Sequence, residues 1–154
     1  MEINKKTFLI LSVLALIFVS CQTKKVVNFT KYQNLALENK QEVDEYLTDA
    51  KKIVIKKENE IILMFQYNCF FGKEIMFNNI YTKNFPKSPD KIDYGQRIIN
   101  FSKSLGKIKI KLSDGKTFSI SPKLGYDYIT ICYNEELKTL YVHYYDFPKM
   151  LVEE

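Results

Sequence analysis

The sequence predicts an α+β fold: a mainly antiparallel sheet of about seven strands, built from several hairpins, with two amphipathic helices packed on it. Three observations carry this. Ser113-Asp114-Gly115 separates two runs that alternate apolar and polar residues, and Asp-Gly in that setting is the strongest short-range hairpin signal. Val43, Tyr46, Leu47 and Ala50 recur at i, i+3, i+4 and i+7, which places them on one face of a helix. The polar links between apolar runs are short, and short links require neighbouring strands to pair antiparallel.

Each element follows from its own pattern. Residues 22–34 are polar with little periodicity and read as a tether. The first helix covers residues 39–52. The β-branched Ile53-Val54-Ile55 and the apolar run 61–65 flank a polar turn and read as a hairpin. The second of these strands is apolar on both faces, as an interior strand is. Gly72-Lys73 makes a turn before a strand over 74–78, and Pro86, Ser88, Pro89 and Asp90 mark 82–91 as a loop. Tyr94, Ile98, Phe101 and Leu105 fall at i, i+4, i+7 and i+11, predicting a second helix over 93–105 with Gly106 as its C-cap.

The alternating hairpin follows. Ile108, Ile110 and Leu112 alternate with Lys107, Lys109 and Lys111, and Phe118 and Ile120 alternate with Thr117, Ser119 and Ser121. A last hairpin joins 126–133 to 137–145 across Asn134-Glu135-Glu136. Both helices are expected on one face of the sheet.

Composition limits the functions. A chain of 154 residues makes one domain, and 46% hydrophobic content with 14% aromatic content excludes disorder. The net charge of +5 is almost all lysine, since Arg97 is the only arginine. Arginine is the residue that reads phosphate and base edges bidentately, so no nucleic-acid partner is expected.

The N-terminus places the chain. Lys5 and Lys6 precede the twelve-residue run FLILSVLALIFV from Phe8 to Val19. That run is shorter than the about 17–25 residues a spanning helix needs, and it fits the apolar region of a secretory signal. Ser20 and Cys21 end it, and Gln22, Thr23, Lys24 and Lys25 are polar. A signal ending at a cysteine resembles the bacterial lipoprotein class, although Phe18 and Val19 stand where that class has leucine and a small residue. The resemblance covers residues 1–21 alone.

It implies a signal peptide over 1–20, lipid attachment at Cys21, a lipidated cysteine and tether over 21–34, and a single domain over 35–154. No acidic residue follows Cys21 directly. By resemblance to known sorting rules, this implies an outer-membrane anchor facing the periplasm. With Cys21 lipidated, Cys69 and Cys132 remain as an even pair in an oxidising compartment. They read either as one disulfide or as two buried thiols.

Candidate chemistry is sparse. His143 is the only histidine, and Tyr141, His143 and Tyr145 share one strand face. This face reads as a binding surface or as the ordinary preference of aromatic residues for strands. Lys107, Lys109 and Lys111 form a stripe that either meets an anionic partner or is a solvated outer face. The chain carries no CxxC, HExxH, EF-hand or nucleophile-elbow pattern, so no metal, cofactor or catalytic residue is expected.

These observations point to a lipid-anchored envelope protein with a small binding or structural domain and an envelope protein as partner. An immunity-type inhibitor is one specific form. An enzyme acting on an envelope polymer and a small-ligand carrier are the alternatives.

Overall fold

The computed structural model describes residues 24–85 and 96–149. Among them the chain forms nine strands and one α-helix. A five-stranded mixed sheet has the order β1-β9-β8-β2-β5. Its strands are β1 (Lys24–Thr30), β2 (Glu60–Gln66), β5 (Gln96–Ser102), β8 (Tyr128–Asn134) and β9 (Thr139–Tyr145). A four-stranded antiparallel sheet has the order β4-β3-β6-β7, from β3 (Glu74–Phe77), β4 (Tyr81–Asn84), β6 (Ile108–Leu112) and β7 (Thr117–Ile120).

The two sheets share the main core. Ile61, Leu63 and Phe65 of β2 and Leu140, Val142 and Tyr144 of β9 meet Ile75, Phe77, Ile108, Ile110, Leu112 and Ile120. The helix α1 (Leu37–Ile53) covers the other face of the five-stranded sheet. Val43 and Ala50 are its buried residues, with Tyr46 and Leu47 half-buried. The stripe read from the sequence is thus the packed face. Val54, just past the helix, forms a second cluster with Ile62 and Met64. β2 is therefore buried on both sides, which is why its sequence does not alternate.

The Asp-Gly hairpin forms as its pattern predicts. Gly115 adopts φ +86°, a conformation a side chain disfavours, and the Asp114 carboxylate accepts from the Lys116 N–H at 3.1 Å. The β8–β9 hairpin also forms, with the Asn134 side-chain oxygen accepting from the Leu137 N–H at 2.8 Å.

Several expectations are corrected. The predicted second helix is the strand β5, followed by a 3-10 turn over Lys103–Leu105. Ile98 packs toward the α1 side, while Ile99 and Phe101 pack into the main core. A short apolar run buried on both faces fits periods of 2 and 3.6 alike, and pairing with β2 decides for the strand. Tyr94, also counted toward that helix, lies outside the described residues.

Ile53-Val54-Ile55 makes no strand. Ile53 closes α1, and the Val54 N–H donates to Ala50 O at 2.7 Å, so helix propagation overrides β propensity. Residues 82–84, read as loop, belong to β4, which is zipped to β3.

In place of one sheet of about seven strands, the described residues form two sheets of nine strands, and although most pairings are antiparallel as expected, the five-stranded sheet is mixed. β1 pairs parallel with β9, and β2 pairs parallel with β8. The short-link rule governs only sequential neighbours, and these partners are far apart in the chain. Lys24–Thr30, read as part of a tether, is thereby an edge strand of the sheet.

Candidate functional site

β9 holds the site because its alternation is strict. Leu140, Val142 and Tyr144 turn into the core, so Tyr141, His143 and Tyr145 turn to the face that carries α1. The helix crosses this face. Val43 in its first half lies near Tyr145, whereas Val54 beyond its end packs on β2. Tyr141 remains 37% exposed, and His143 and Tyr145 are half-buried.

The structure brings the histidine a partner that sequence reasoning missed. Thr30 Oγ1 lies 2.7 Å from His143 Nε2. The parallel β1–β9 pairing sets Thr30 opposite Tyr145 and Asn28 opposite His143. The His143 and Tyr145 rings stack at 4.3 Å with 17° between planes. Beyond Tyr145, Phe147 packs edge-on at 5.3 Å and Tyr32 packs on Phe147 at 6.0 Å. A cleft of about 240 Å³ opens here, lined by Thr30, Leu35, Val43, Tyr145 and Phe147 among others. Lys149 and Glu42, also in its lining, form an ion pair at 2.8 Å.

Burial lowers the His143 pKa and raises that of Tyr145. Both side chains are therefore neutral near pH 7. Asp146, the adjacent carboxylate, accepts from the Tyr32 N–H at 2.8 Å and is directed there rather than toward the imidazole. A hydroxyl beside an imidazole is the start of a nucleophile–base pair, but base catalysis also needs a group that orients the ring. What the arrangement provides is a fixed aromatic surface with a hydrogen-bonding imidazole in it.

A pH prediction follows from this burial. An unfolded histidine titrates near 6.5, so below that pH the unfolded chain takes up the proton more readily than the folded one. The stability His143 contributes is complete above about pH 6.5 and is lost as pH falls through its lower folded value. The melting temperature is expected to drop as pH falls below about 6.5, and His143→Gln should flatten that drop. An unchanged slope in the variant would assign the effect to another group.

No protein-family model, curated protein or solved structure matches this chain. The site is therefore read from its own geometry.

The other sequence candidates fall elsewhere. Cys69 and Cys132 are joined by a disulfide, with Cα atoms 5.2 Å apart. It ties the 3-10 turn Tyr67–Cys69 to β8. Cys21 lies outside the described residues. Lys107, Lys109 and Lys111 are exposed, and β6 turns Ile108, Ile110 and Leu112 inward between them.

Two ion clusters clamp the turns. Lys73 and Lys116 both bind Asp114 and Glu135, linking the β6–β7 and β8–β9 turns. Burial pushes the Asp114 carboxyl up, but Lys116 and Lys73 outweigh this and hold it at about 2. Lys56 and Lys103 bind Asp127 at 2.9 and 2.7 Å. Among the described residues, no His, Cys, Asp and Glu side chains group as a metal site, and no helix is long and apolar enough to cross a membrane.

Proposed function

We propose that this chain is a lipid-anchored protein of the bacterial cell envelope, held through Cys21 on the outer membrane and facing the periplasm. Its domain binds an envelope protein through the outer face of β9. An immunity-type inhibitor, which masks a toxin or hydrolase, is the specific form of this reading. The observation that carries it is the exposed Tyr141 on the outer face of β9, with the half-buried His143 beside it. Tyrosine offers large apolar area with a polar tip, and aromatic residues are enriched at the centres of protein interfaces.

Two further features support the reading. The Cys69–Cys132 bond suits an oxidising compartment. The cleft beside Tyr145, about 240 Å³, is smaller than the roughly 300–1,000 Å³ of small-molecule sites, so this face of β9 suits a partner surface better than an enclosed ligand.

A photo-crosslinking residue in place of Tyr141 tests this in living cells. One discrete protein adduct is expected on the intact, membrane-held chain. A chain that crosslinks to nothing beyond the background of a position on the far sheet, such as Lys111, would refute binding through this face.

A further inference from the structure

β1 starts at Lys24, three residues after Cys21. A residue extends at most about 3.6 Å, so the Cα of Cys21 lies within about 11 Å of that of Lys24 by any path. Lipid on Cys21 then sets the beginning of β1 near the bilayer surface, beside the β8–β9 turn whose Lys138 O accepts from the Lys24 N–H, and a domain lying along the membrane presents the β1 edge to it.

That edge has an unusual surface. Lys25, Val27 and Phe29 alternate onto the inner face of the five-stranded sheet, as their register with Leu140, Val142 and Tyr144 requires. At the sheet margin this face is only part-covered, and Val27 and Phe29 remain 38% and 49% exposed. Phe29 stacks on Tyr144 at 5.0 Å and meets the Tyr126 ring at 5.3 Å. Leu124 lies in the turn between Lys123 and Tyr126 and is fully exposed.

Lysines surround these apolar groups. Lys31 Nζ sits 5.8 Å over the Tyr126 ring, and Lys25 Nζ donates to Ser119 O at 3.0 Å. Burial lowers the Lys25 pKa, and the nearby charges of Lys123 and Lys107 lower it further. The acidic Glu38, Asp44, Glu45 and Asp49 are carried by α1 on the opposite face of the sheet.

We propose that the β1 edge is a membrane-contact surface, in which Phe29 and Leu124 enter the headgroup layer while Lys25, Lys31, Lys107 and Lys123 bind anionic phospholipid. The position of this surface at the bilayer rests on the reading of Cys21 as the anchor. Its chemistry does not. Exposed apolar side chains ringed by lysine match interfacial binding, in which apolar burial adds to attraction by anionic headgroups. Lysine, a flexible point charge, suits a fluid headgroup layer better than a bidentate site. The contact turns Tyr141 and His143, on the outer face, away from the patch and toward incoming partners.

The test uses the chain from residue 21 with Cys21→Ser, which keeps every described element. It is sedimented at low salt with vesicles of phosphatidylcholine plus phosphatidylglycerol, and with phosphatidylcholine alone. Binding to the anionic vesicles only is expected, with release as salt rises. Neutralising one lysine is expected to weaken binding about fivefold. The double variant Lys123→Gln/Leu124→Ser should therefore lose at least that much, and both positions are exposed, so its urea midpoint should match the parent. Equal binding to both vesicles, no binding to either, or full binding by the double variant would overturn the proposal. The anchor reading is judged separately, at high salt where the β1 edge no longer holds, by whether Cys21→Ser turns the full chain from a lipid-bearing mature form into a soluble or unprocessed one.

Discussion

Phe65→Ala is expected to destabilise the domain by about 3–5 kcal/mol, the usual cost of truncating a buried phenylalanine. Phe65 is fully buried on β2, where the two sheets meet. Its ring packs edge-on against Phe70 at 5.4 Å, Phe77 at 5.5 Å and Phe85 at 6.0 Å. These residues come from both sheets and from the segments joining them, so no single movement can refill the cavity. Because ordinary domains keep only about 5–15 kcal/mol in hand, the variant should be near the limit of folding. Urea denaturation followed by circular dichroism measures this as a lower midpoint. Leu124→Ala, at a fully exposed position, should move the midpoint little. A Phe65→Ala midpoint equal to that of the parent would contradict the packing between the sheets.

Loss of the disulfide should have an effect of similar size. The Cys69–Cys132 bond closes a separation of 63 residues, for which the chain-entropy relation gives about 4 kcal/mol. β2 and β8 already pair through Phe65 and Ile131, so the folded state gains little order from the bond. Its effect falls mainly on the unfolded chain, which it holds compact. The paired variant Cys69→Ser/Cys132→Ser should therefore unfold at lower urea, and reductant should shift the parent in the same direction but leave the variant unmoved. Two reactive thiols in the unfolded, unreduced parent would contradict the bond.

How far the fold could be read from the chain depends on the range of each contact. The β6–β7 and β8–β9 hairpins are local. Asp114-Gly115 and the strict alternation of Ile108, Ile110 and Leu112 specify the first within about a dozen residues. The packed stripe of α1 is local too. Parallel pairing is not. Lys24–Thr30 carries a poor hydrophobic pattern because it is a margin strand exposed on both faces along most of its length, so nothing in KKVVNFT announces a strand. β5 failed for the opposite reason: with Ile99 buried on one side and Ile98 partly buried on the other, its apolar spacing fits a helix as well as a strand.

The candidate site divides the same way. That Tyr141, His143 and Tyr145 share a face follows from the period of two along β9. The Thr30 hydroxyl on His143 depends on a pairing across 113 residues, and no local signal points to it. The lysine and phenylalanine edge of β1 was hidden likewise, because Lys25 comes near Lys107 and Lys123 only once the two sheets pack and its side chain reaches Ser119 of β7.

The most direct test of the tethered-binding account is photo-crosslinking from position 141 in living cells, run side by side on the intact chain and on Cys21→Ser. The account predicts a membrane-bound chain, processed to begin at an acylated Cys21, that yields one stoichiometric protein adduct. It predicts that Cys21→Ser abolishes acylation, leaves a soluble or unprocessed chain, and loses the adduct. A parent chain that is processed but carries no lipid, or one that gives no discrete adduct while held on the membrane, would contradict it.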